Sequence, residues 1–300
     1  MPDSTNADAV DLFCGPGGWD LAAHELGLSV FGIDNEPVVA ETRTAAGLHT
    51  MLADLGQLDP RTLGVTAEGL IASPPCPDWS AAGSKLGRDG ATGWLIDIVP
   101  AWVNHLEPDW IACEQVPGAL EVWRQHAELY RTLGSWVWAG KLNAADYGVP
   151  QKRIRAVLIA SRTRPITEPL ATHAEHPGTT LTNQELEPWV PMISVLGEGI
   201  WPAWTARPAT TVCGDPRVWQ PGHKVNQADR DRLGVDEANA RYVDRAGTTA
   251  LRLTLEQRLA LQSFPPGYKV AGNKGQQDTQ VGNAVPPLLA RAILAEATGR

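Results

Sequence analysis

The residue types best suited to chemistry gather in Ser73-Pro74-Pro75-Cys76-Pro77-Asp78-Trp79-Ser80. The apolar run before them, Gly69-Leu70-Ile71-Ala72, reads as a buried strand. Two prolines fix φ and remove backbone donors, so the strand ends there. One cysteine then stands at the strand's carboxyl end, where open α/β sheets place their chemistry. A thiol in that position is a nucleophile if its surroundings favour the thiolate. Otherwise it is a small packed hydrophobe. The octapeptide alone leaves both readings open.

A second constellation lies upstream. Asp11-Leu12-Phe13-Cys14-Gly15-Pro16-Gly17-Gly18 is a glycine-rich turn between a strand and a helix. Glycines let the backbone turn tightly and approach a ligand, and the helix start offers free N–H groups. The next two strands end in acids, Asp34 and Asp54. Asp34 is placed to accept from ribose hydroxyls and Asp54 from an adenine amino group, although each could equally cap a turn. In this order they favour an adenosine-containing cofactor. The turn lacks the full G-x-G-x-x-G spacing of a dinucleotide site.

The elements that must position these residues follow from periodicity. Ala9–Phe13, Ser29–Ile33, Thr50–Ala53, Gly69–Ala72 and Asp109–Cys113 read as strands, with Glu114-Gln115-Val116-Pro117 following the last. Helices are expected from Trp19 to Leu26, from Pro37 to about Ala46, from Trp94 to Leu106 despite Pro100, and from Ala119 to Leu133. Trp136–Leu142 and Ile154–Ala160 then form a close antiparallel pair. The fold class is therefore α/β, with a mixed, mostly parallel, doubly wound sheet. From Ser161 to about Gly247 periodicity fades. Trp189, Trp201, Trp204 and Trp219 argue for a small loop-rich lobe rather than disorder. Pattern resumes at Leu251 and ends in a helix from about Pro287 to Ala297.

Bulk properties bound the function. A hydrophobic fraction of 43% supports a substantial core, and no apolar run is long enough to span a membrane. Met1-Pro2-Asp3-Ser4-Thr5-Asn6 lacks the features of a signal peptide. Four cysteines, Cys14, Cys76, Cys113 and Cys213, are too few for a disulfide scaffold and match no zinc spacing, so no metal and a reducing cytoplasm are expected. The formal net charge of −9 argues mildly against a polyanion partner. Yet Lys141, Lys152, Arg153, Arg155, Arg162 and Arg164 face a single acid, Asp146, across their stretch. Such a strip can contact phosphates.

Six stretches in order resemble the DNA (cytosine-5-)methyltransferase family, over nearly the whole chain. Asp11–Gly18 resembles its first cofactor motif, and Pro74-Pro75-Cys76 its nucleophile motif. Glu114-Gln115-Val116 is similar to its Glu-Asn-Val motif, and Gln151-Lys152-Arg153-Ile154-Arg155 to its Gln-x-Arg-x-Arg motif. Arg252–Pro265 and Gly282-Asn283-Ala284-Val285 resemble the two motifs beyond the recognition region. Gln115 departs from the usual asparagine. The aromatic residue that follows Pro-Pro in amino-group methylases is here Cys76.

The resemblance implies a Rossmann-like S-adenosylmethionine-dependent methyltransferase fold. Residues 1–161 would form the catalytic and cofactor domain, 162–247 a target-recognition region, and 248–300 a segment returning to the catalytic domain. It implies methylation of carbon 5 of a cytosine flipped from duplex DNA, with Cys76 as nucleophile. A thiolate adding to ring carbon 6 makes carbon 5 enamine-like, and negative charge builds toward ring nitrogen 3. Glu114, its carboxyl held protonated by partial burial, would donate there. Arg155 would bind the base carbonyl, and Arg153, two residues along the same strand, would share its side. Asp11, Phe13, Gly15, Gly17, Gly18, Asp34, Asp54, Asn283 and Ala284 are the expected cofactor residues. Ser80, Gln151, Arg217 and Lys224 are expected at the nucleic acid, with His223, Asn226 and Gln227 as further candidate readers of base edges. Expected partners are double-stranded DNA and a cognate restriction endonuclease, with the chain a cytoplasmic monomer in restriction–modification, phage DNA protection or stand-alone methylation. Methylation of transfer RNA by the same chemistry, or an inactive binding relic, are the alternatives.

Overall fold

A computed structural model describes residues 7–80, 85–178, 185–199, 201–215, 217–220, 234–236, 241–244 and 247–300. The chain divides into two compact units. The first comprises Met1–Asn143, Ile154–Leu170 and Pro287–Arg300, and the second Ala144–Arg153 and Ala171–Pro286.

The first unit is built on strands β1 (Ala9–Leu12), β2 (Val30–Asp34), β3 (Thr50–Leu52), β4 (Gly69–Ala72), β5 (Trp110–Gln115), β6 (Trp136–Asn143) and β7 (Ile154–Ser161). They form one sheet in the order β3-β2-β1-β4-β5-β7-β6. Strands β3 to β5 run parallel. β7 lies antiparallel to both β5 and β6. The expected mixed, mostly parallel sheet is thus the one observed. Every residue of β1, β4 and β5 is buried, as befits strands covered on both faces. Sheet order reverses at β1, whose neighbours are β2 and β4. In such sheets the crevice outside the carboxyl ends at the reversal is the binding place. The turn after β1 and the Cys76 loop after β4 both leave from there.

Helices α1 (Gly18–Glu25), α2 (Pro37–Ala45), α3 (Val99–Leu106) and α4 (Leu120–Thr132) connect the strands. Gly27 and Gly134, at φ 71° and 91°, end α1 and α4 as left-handed caps. Leu12, Ile33, Leu70, Ile96, Trp102, Trp123 and Leu158 share one core. Two sequence expectations need correction. The helix expected from Trp94 begins as a 3₁₀ segment, Gly93–Ile98, and becomes α only at α3. Pro100 falls in the first turn of α3, where a missing N–H leaves no gap in the ladder. Glu114 and Gln115 lie within β5 rather than beyond it, because Glu114 and Gln115 pair with Val157 and Ala156 of β7.

The second unit holds a two-stranded parallel pair, β8 (His173–Ala174) with β9 (Glu187–Pro188), and a short helix α5 (Ile193–Leu196). It also has an antiparallel sheet of β10 (Arg217–Trp219), β11 (Gly234–Asp236), β12 (Arg241–Asp244) and β13 (Gly247–Arg252), in the order β10-β13-β12-β11. These strands are too short to show period-two alternation in the sequence. Helices α6 (Leu255–Leu261) and α7 (Lys274–Asn283) each start with a capping box, Thr254 with Gln257 and Asn273 with Gln276. Helix α8 (Pro287–Thr298) belongs to the first unit, where it packs against α1, β5 and β7.

Candidate active site

The turn after β1 winds through left-handed backbone at Phe13, Gly15 and Gly17, with φ of 61°, 51° and 97°. Only at Phe13 does this fall on a side chain that rarely adopts it. Cys14 N–H donates to the Ile33 carbonyl at 3.1 Å, which ties the turn to β2. Gly15 N–H donates to Asp34 Oδ2 at 3.0 Å, and Glu36 N–H to Asp34 Oδ1 at 3.0 Å. Asp34 therefore clamps the turn, while its carboxylate keeps lone pairs for further donors. Asp54 is exposed and closes its own turn, accepting from Gly56 N–H at 2.9 Å and Gln57 Nε2 at 2.8 Å. That is the capping alternative to an adenine contact.

Asp11 is fully buried in β1, and neither carboxyl oxygen has a hydrogen-bond partner among the described residues. Burial pushes its carboxyl well above the usual range, with Asp20 adding to the shift and Arg43 opposing it. A carboxyl that holds its proton more tightly when folded stabilises the fold below its ordinary value of 3.8 and loses that stabilisation as pH rises through the raised one. Asp11→Asn is therefore expected to gain in melting temperature over the parent between about pH 4 and pH 8. A difference independent of pH, read by thermal melts across that range, would contradict it.

The loop after β4 is held on three sides. Ser73 N–H donates to the Leu12 carbonyl at 3.1 Å, and Trp19 Nε1 donates to Ser73 Oγ at 2.8 Å. The Cys76 carbonyl accepts from Trp79 N–H and Ser80 N–H, both at 3.0 Å, which curls Cys76 to Ser80 into a turn. Asp78, nearly buried, accepts from Thr92 N–H at 2.8 Å and Thr92 Oγ1 at 2.9 Å. Trp79 Nε1 donates to the Gly93 carbonyl at 3.2 Å. Cys76 is half-buried, whereas Cys14 and Cys113 are buried and Cys213 exposed. Burial pushes the Cys14 and Cys113 thiols up, away from the reactive thiolate.

Gln115 supplies the third attachment. Its Nε2 donates to the carbonyls of Pro74 at 2.7 Å and Pro75 at 3.1 Å, and its Oε1 accepts from Val116 N–H at 2.6 Å. The longer amide thus reaches the Cys76 loop from β5. Gln115→Ala strips the donor from two proline carbonyls, and each unmet buried acceptor costs about 1–3 kcal/mol. The variant is expected to melt lower and, with the loop released, to react faster at the half-buried Cys76 with a small thiol reagent. An unchanged melt and unchanged rate would contradict the anchoring.

β4 and β5 pair with Ala72 opposite Cys113, so Glu114 stands one residue beyond that pair, on the strand beside the Cys76 loop. Arg155 Nε lies 2.7 Å from Glu114 Oε1, with both side chains about nine-tenths buried. The protonated Glu114 expected from burial is here a carboxyl facing a guanidinium. Arg155 Nη1 also donates to the Ile154 carbonyl at 2.8 Å.

The rest of the Gln-x-Arg-x-Arg stretch sits in the second unit. Arg153 precedes β7 and does not share its alternation with Arg155. Its Nη1 donates to the Val212 carbonyl at 2.9 Å, and its Nη2 to those of Gly282 and Ala284, each at 2.9 Å. Gln151 is fully buried, with Nε2 donating to Leu261 O at 3.2 Å and Gln262 Oε1 at 3.0 Å, and Oε1 accepting from Val212 N–H at 2.7 Å. These two residues bind backbone of their own unit. Asn283, exposed, ends α7, and Ala284 is buried. Arg217 is ion-paired to Asp215 at 2.8 Å. Ser80 is half-buried. His223, Lys224, Asn226 and Gln227 lie outside the described residues.

Sequence reasoning gave no role to Asp78 or Trp79 within the octapeptide and missed Arg43 and Asp20 altogether. Asp78 and Trp79 brace the loop, and Arg43 forms a buried bidentate pair with Asp20 at 2.7 and 2.8 Å beneath the glycine turn. Asp20 and Arg43 lie on different helices, and no spacing rule links them.

Similarity to known proteins agrees with this geometry. A sequence model of the C-5 cytosine-specific DNA methylases matches residues 7–195 and 205–298. Type II methyltransferase M.AplI of Arthrospira platensis is 29% identical, over 95% of this chain and 83% of its own length. M.HgiDI of Herpetosiphon aurantiacus, also a Type II methyltransferase, is 29% identical over 94% and 91%. Among solved structures, the Entamoeba histolytica methyltransferase EhMeth superposes with a TM-score of 0.69 at 13% identity, covering 99% of this chain and 98% of that one. A Spodoptera frugiperda DNMT2 variant gives 0.65 at 17%, covering 98% and 99%. With its sheet order, its cysteine loop and a family match along almost its whole length, the chain belongs to the C-5 cytosine-specific DNA methylases.

Proposed function

We propose that the chain transfers a methyl group to carbon 5 of a cytosine flipped out of duplex DNA, through a covalent adduct at Cys76. The observation that carries this reading is the Cys76 loop, pinned by Gln115 of β5, beside the Glu114–Arg155 pair. Cytosine at carbon 5 is a weak nucleophile on its own. Cys76 sulfur forms a bond to ring carbon 6, and the ring electrons move toward carbon 5 and nitrogen 3. Glu114 carries the proton that meets the charge at nitrogen 3. Glu114 faces Arg155 in the free chain, and the entering base would draw on both side chains. Arg155 then holds the base carbonyl. After transfer, the carbon 5 proton leaves to water, the Cys76 sulfur departs as thiolate, and the nitrogen 3 proton returns to Glu114, restoring the neutral ring.

S-adenosylmethionine suits the turn after β1 and supplies an electrophilic methyl on a sulfonium. Asp11, Phe13, Gly15, Gly17, Gly18 and Asp34 would line its place, and Asp54, Asn283 and Ala284 remain cofactor residues by motif. The fit rests on the left-handed glycine turn clamped by Asp34 and on the partnerless buried carboxyl of Asp11. Arg153 and Gln151 act as positioning residues that hold backbone of the second unit. Residues 162–247 serve target recognition, with Arg217 and Lys224 among its contacts, while 1–161 hold cofactor and catalysis and 248–300 complete them. Ser80 contacts the substrate from the loop. The Type II relatives support a place in restriction–modification, where the chain would act opposite a cognate endonuclease as a cytoplasmic monomer; the relatives' names bear on the first point alone. Among the described residues no helix is long and apolar enough to cross a membrane.

The test offers labelled S-adenosylmethionine with duplex DNA or with transfer RNA. Label in 5-methylcytosine of the DNA is expected. Label in transfer RNA alone would replace the substrate, and label in neither would remove the activity.

A further inference from the structure

We infer that Arg43 is the positioning residue of the cofactor turn, holding its shape from beneath. The inference rests on the proposal that this turn binds S-adenosylmethionine. Arg43 is fully buried on α2 and bonds to three elements at once. Its Nη1 and Nη2 grip both oxygens of Asp20 on α1 at 2.8 and 2.7 Å. Nε donates to Thr50 Oγ1 at 2.7 Å, and Nη2 to the His49 carbonyl at 3.1 Å, at the start of β3. Nη1 also stands 3.5 Å from the carbonyls of both Cys14 and Gly15, inside the turn.

The last contacts give the arginine its consequence. A full positive charge against two adjacent carbonyls fixes which way those peptide planes face. The Cys14 carbonyl shares its peptide plane with the Gly15 N–H that donates to Asp34 Oδ2, and the Gly15 carbonyl shares its plane with the Pro16 nitrogen, so holding both carbonyls inward fixes the backbone path of the turn where a ligand would be met. The neighbouring sequence makes room for this device. A Cβ at Gly32 would lie 2.2 Å from Nη2 of Arg43 and 2.8 Å from Cys14 Sγ, so β2 carries glycine where the guanidinium passes. Charge also has to be matched here. Arg43 sits among Asp20, Asp11 and Asp34, and without it Asp20 would be a buried acid with no cation.

Two roles are separable: neutralising Asp20 and orienting the turn. Arg43→Met with Asp20→Asn removes both charges together and keeps the stem volume. If Arg43 merely balances charge, the double variant recovers both melting temperature and cofactor affinity. If it orients the turn, melting recovers while cofactor affinity does not. We expect S-adenosylmethionine affinity, by calorimetry, to fall at least about tenfold in the double variant. Duplex DNA affinity should stay within about twofold, and KM for the cofactor should rise more than kcat falls. Gly32→Ala serves as a second variant that displaces the guanidinium without changing any charge, and the same selective loss is expected. Cofactor affinity within about twofold of the parent in both variants overturns the inference. A parent chain that binds no S-adenosylmethionine overturns the cofactor reading itself and this inference with it.

Discussion

Cys76→Ala is expected to abolish methyl transfer, lowering the rate at least about 10⁴-fold, because no other group on the loop can make the bond to carbon 6. Ser80 carries a hydroxyl on that loop, and its N–H closes the turn on the Cys76 carbonyl at 3.0 Å. A hydroxyl is a far weaker nucleophile than a thiolate at neutral pH. The variant should fold, since Cys76 is half-buried and the loop's attachments run through Ser73, Asp78, Trp79 and Gln115. Melting within a few degrees of the parent is therefore part of the expectation. Duplex DNA bearing 5-fluorocytosine offers an independent readout. Fluorine at carbon 5 cannot leave as a proton does, so the sulfur stays attached and the adduct can be mapped by mass spectrometry. Attachment at Cys14, Cys113 or Cys213, or undiminished transfer by Cys76→Ala, would refute the assignment.

Glu114→Gln is the second large effect. It is expected to lower kcat by about 10²–10⁴-fold, since an amide cannot deliver a proton to nitrogen 3. The amide keeps the shape of the side chain but not its charge, so Glu114→Gln should melt below the parent and above Glu114→Ala. Glu114→Ala removes the acceptor as well and leaves Arg155 buried without its carboxylate, a loss of about 3–5 kcal/mol. The two substitutions should thus share a catalytic defect and differ in melting temperature. Adding Arg155→Met to Glu114→Ala should return much of the stability while leaving the reaction dead. Equal kcat in Glu114→Gln and the parent would take Glu114 out of the proton path. A stable Glu114→Ala would show that the ion pair carries no structural weight.

The sheet was largely legible because its strands are continuous apolar runs punctuated by glycine, proline and acids. Gly69–Ala72 and the antiparallel pair of β6 and β7 needed no tertiary information. The end of β5 was misread because Glu114 and Gln115 are polar, and only pairing with β7 keeps them in the strand. Likewise the strands of the second unit are two to six residues long, so neighbours rather than propensity define them. Motif order located Cys76, Glu114 and Arg155. It did not separate Arg155, which faces an acid of the first unit, from Arg153, which binds carbonyls of the second. Residues two apart on a strand share a side, but Arg153 precedes the strand. Arg43 and Asp20 left no sequence trace because a contact between two helices follows from their packing and not from either pattern.

Helix α8 carries a consequence for how the molecule is made. It packs on α1 and buries Leu289, Ile293 and Leu294, and Arg300 donates to the carbonyls of Leu26 and Gly27. The ribosome releases α1 long before it reaches Pro287. At about 5–20 residues per second, the face of α1 that α8 covers waits roughly 13 to 52 s for its lid. During that interval the nascent first unit is an open sheet seeking a partner, the kind of species that chaperones hold. Synthesis halted before Pro287 should therefore yield insoluble fragments rather than a weakened enzyme.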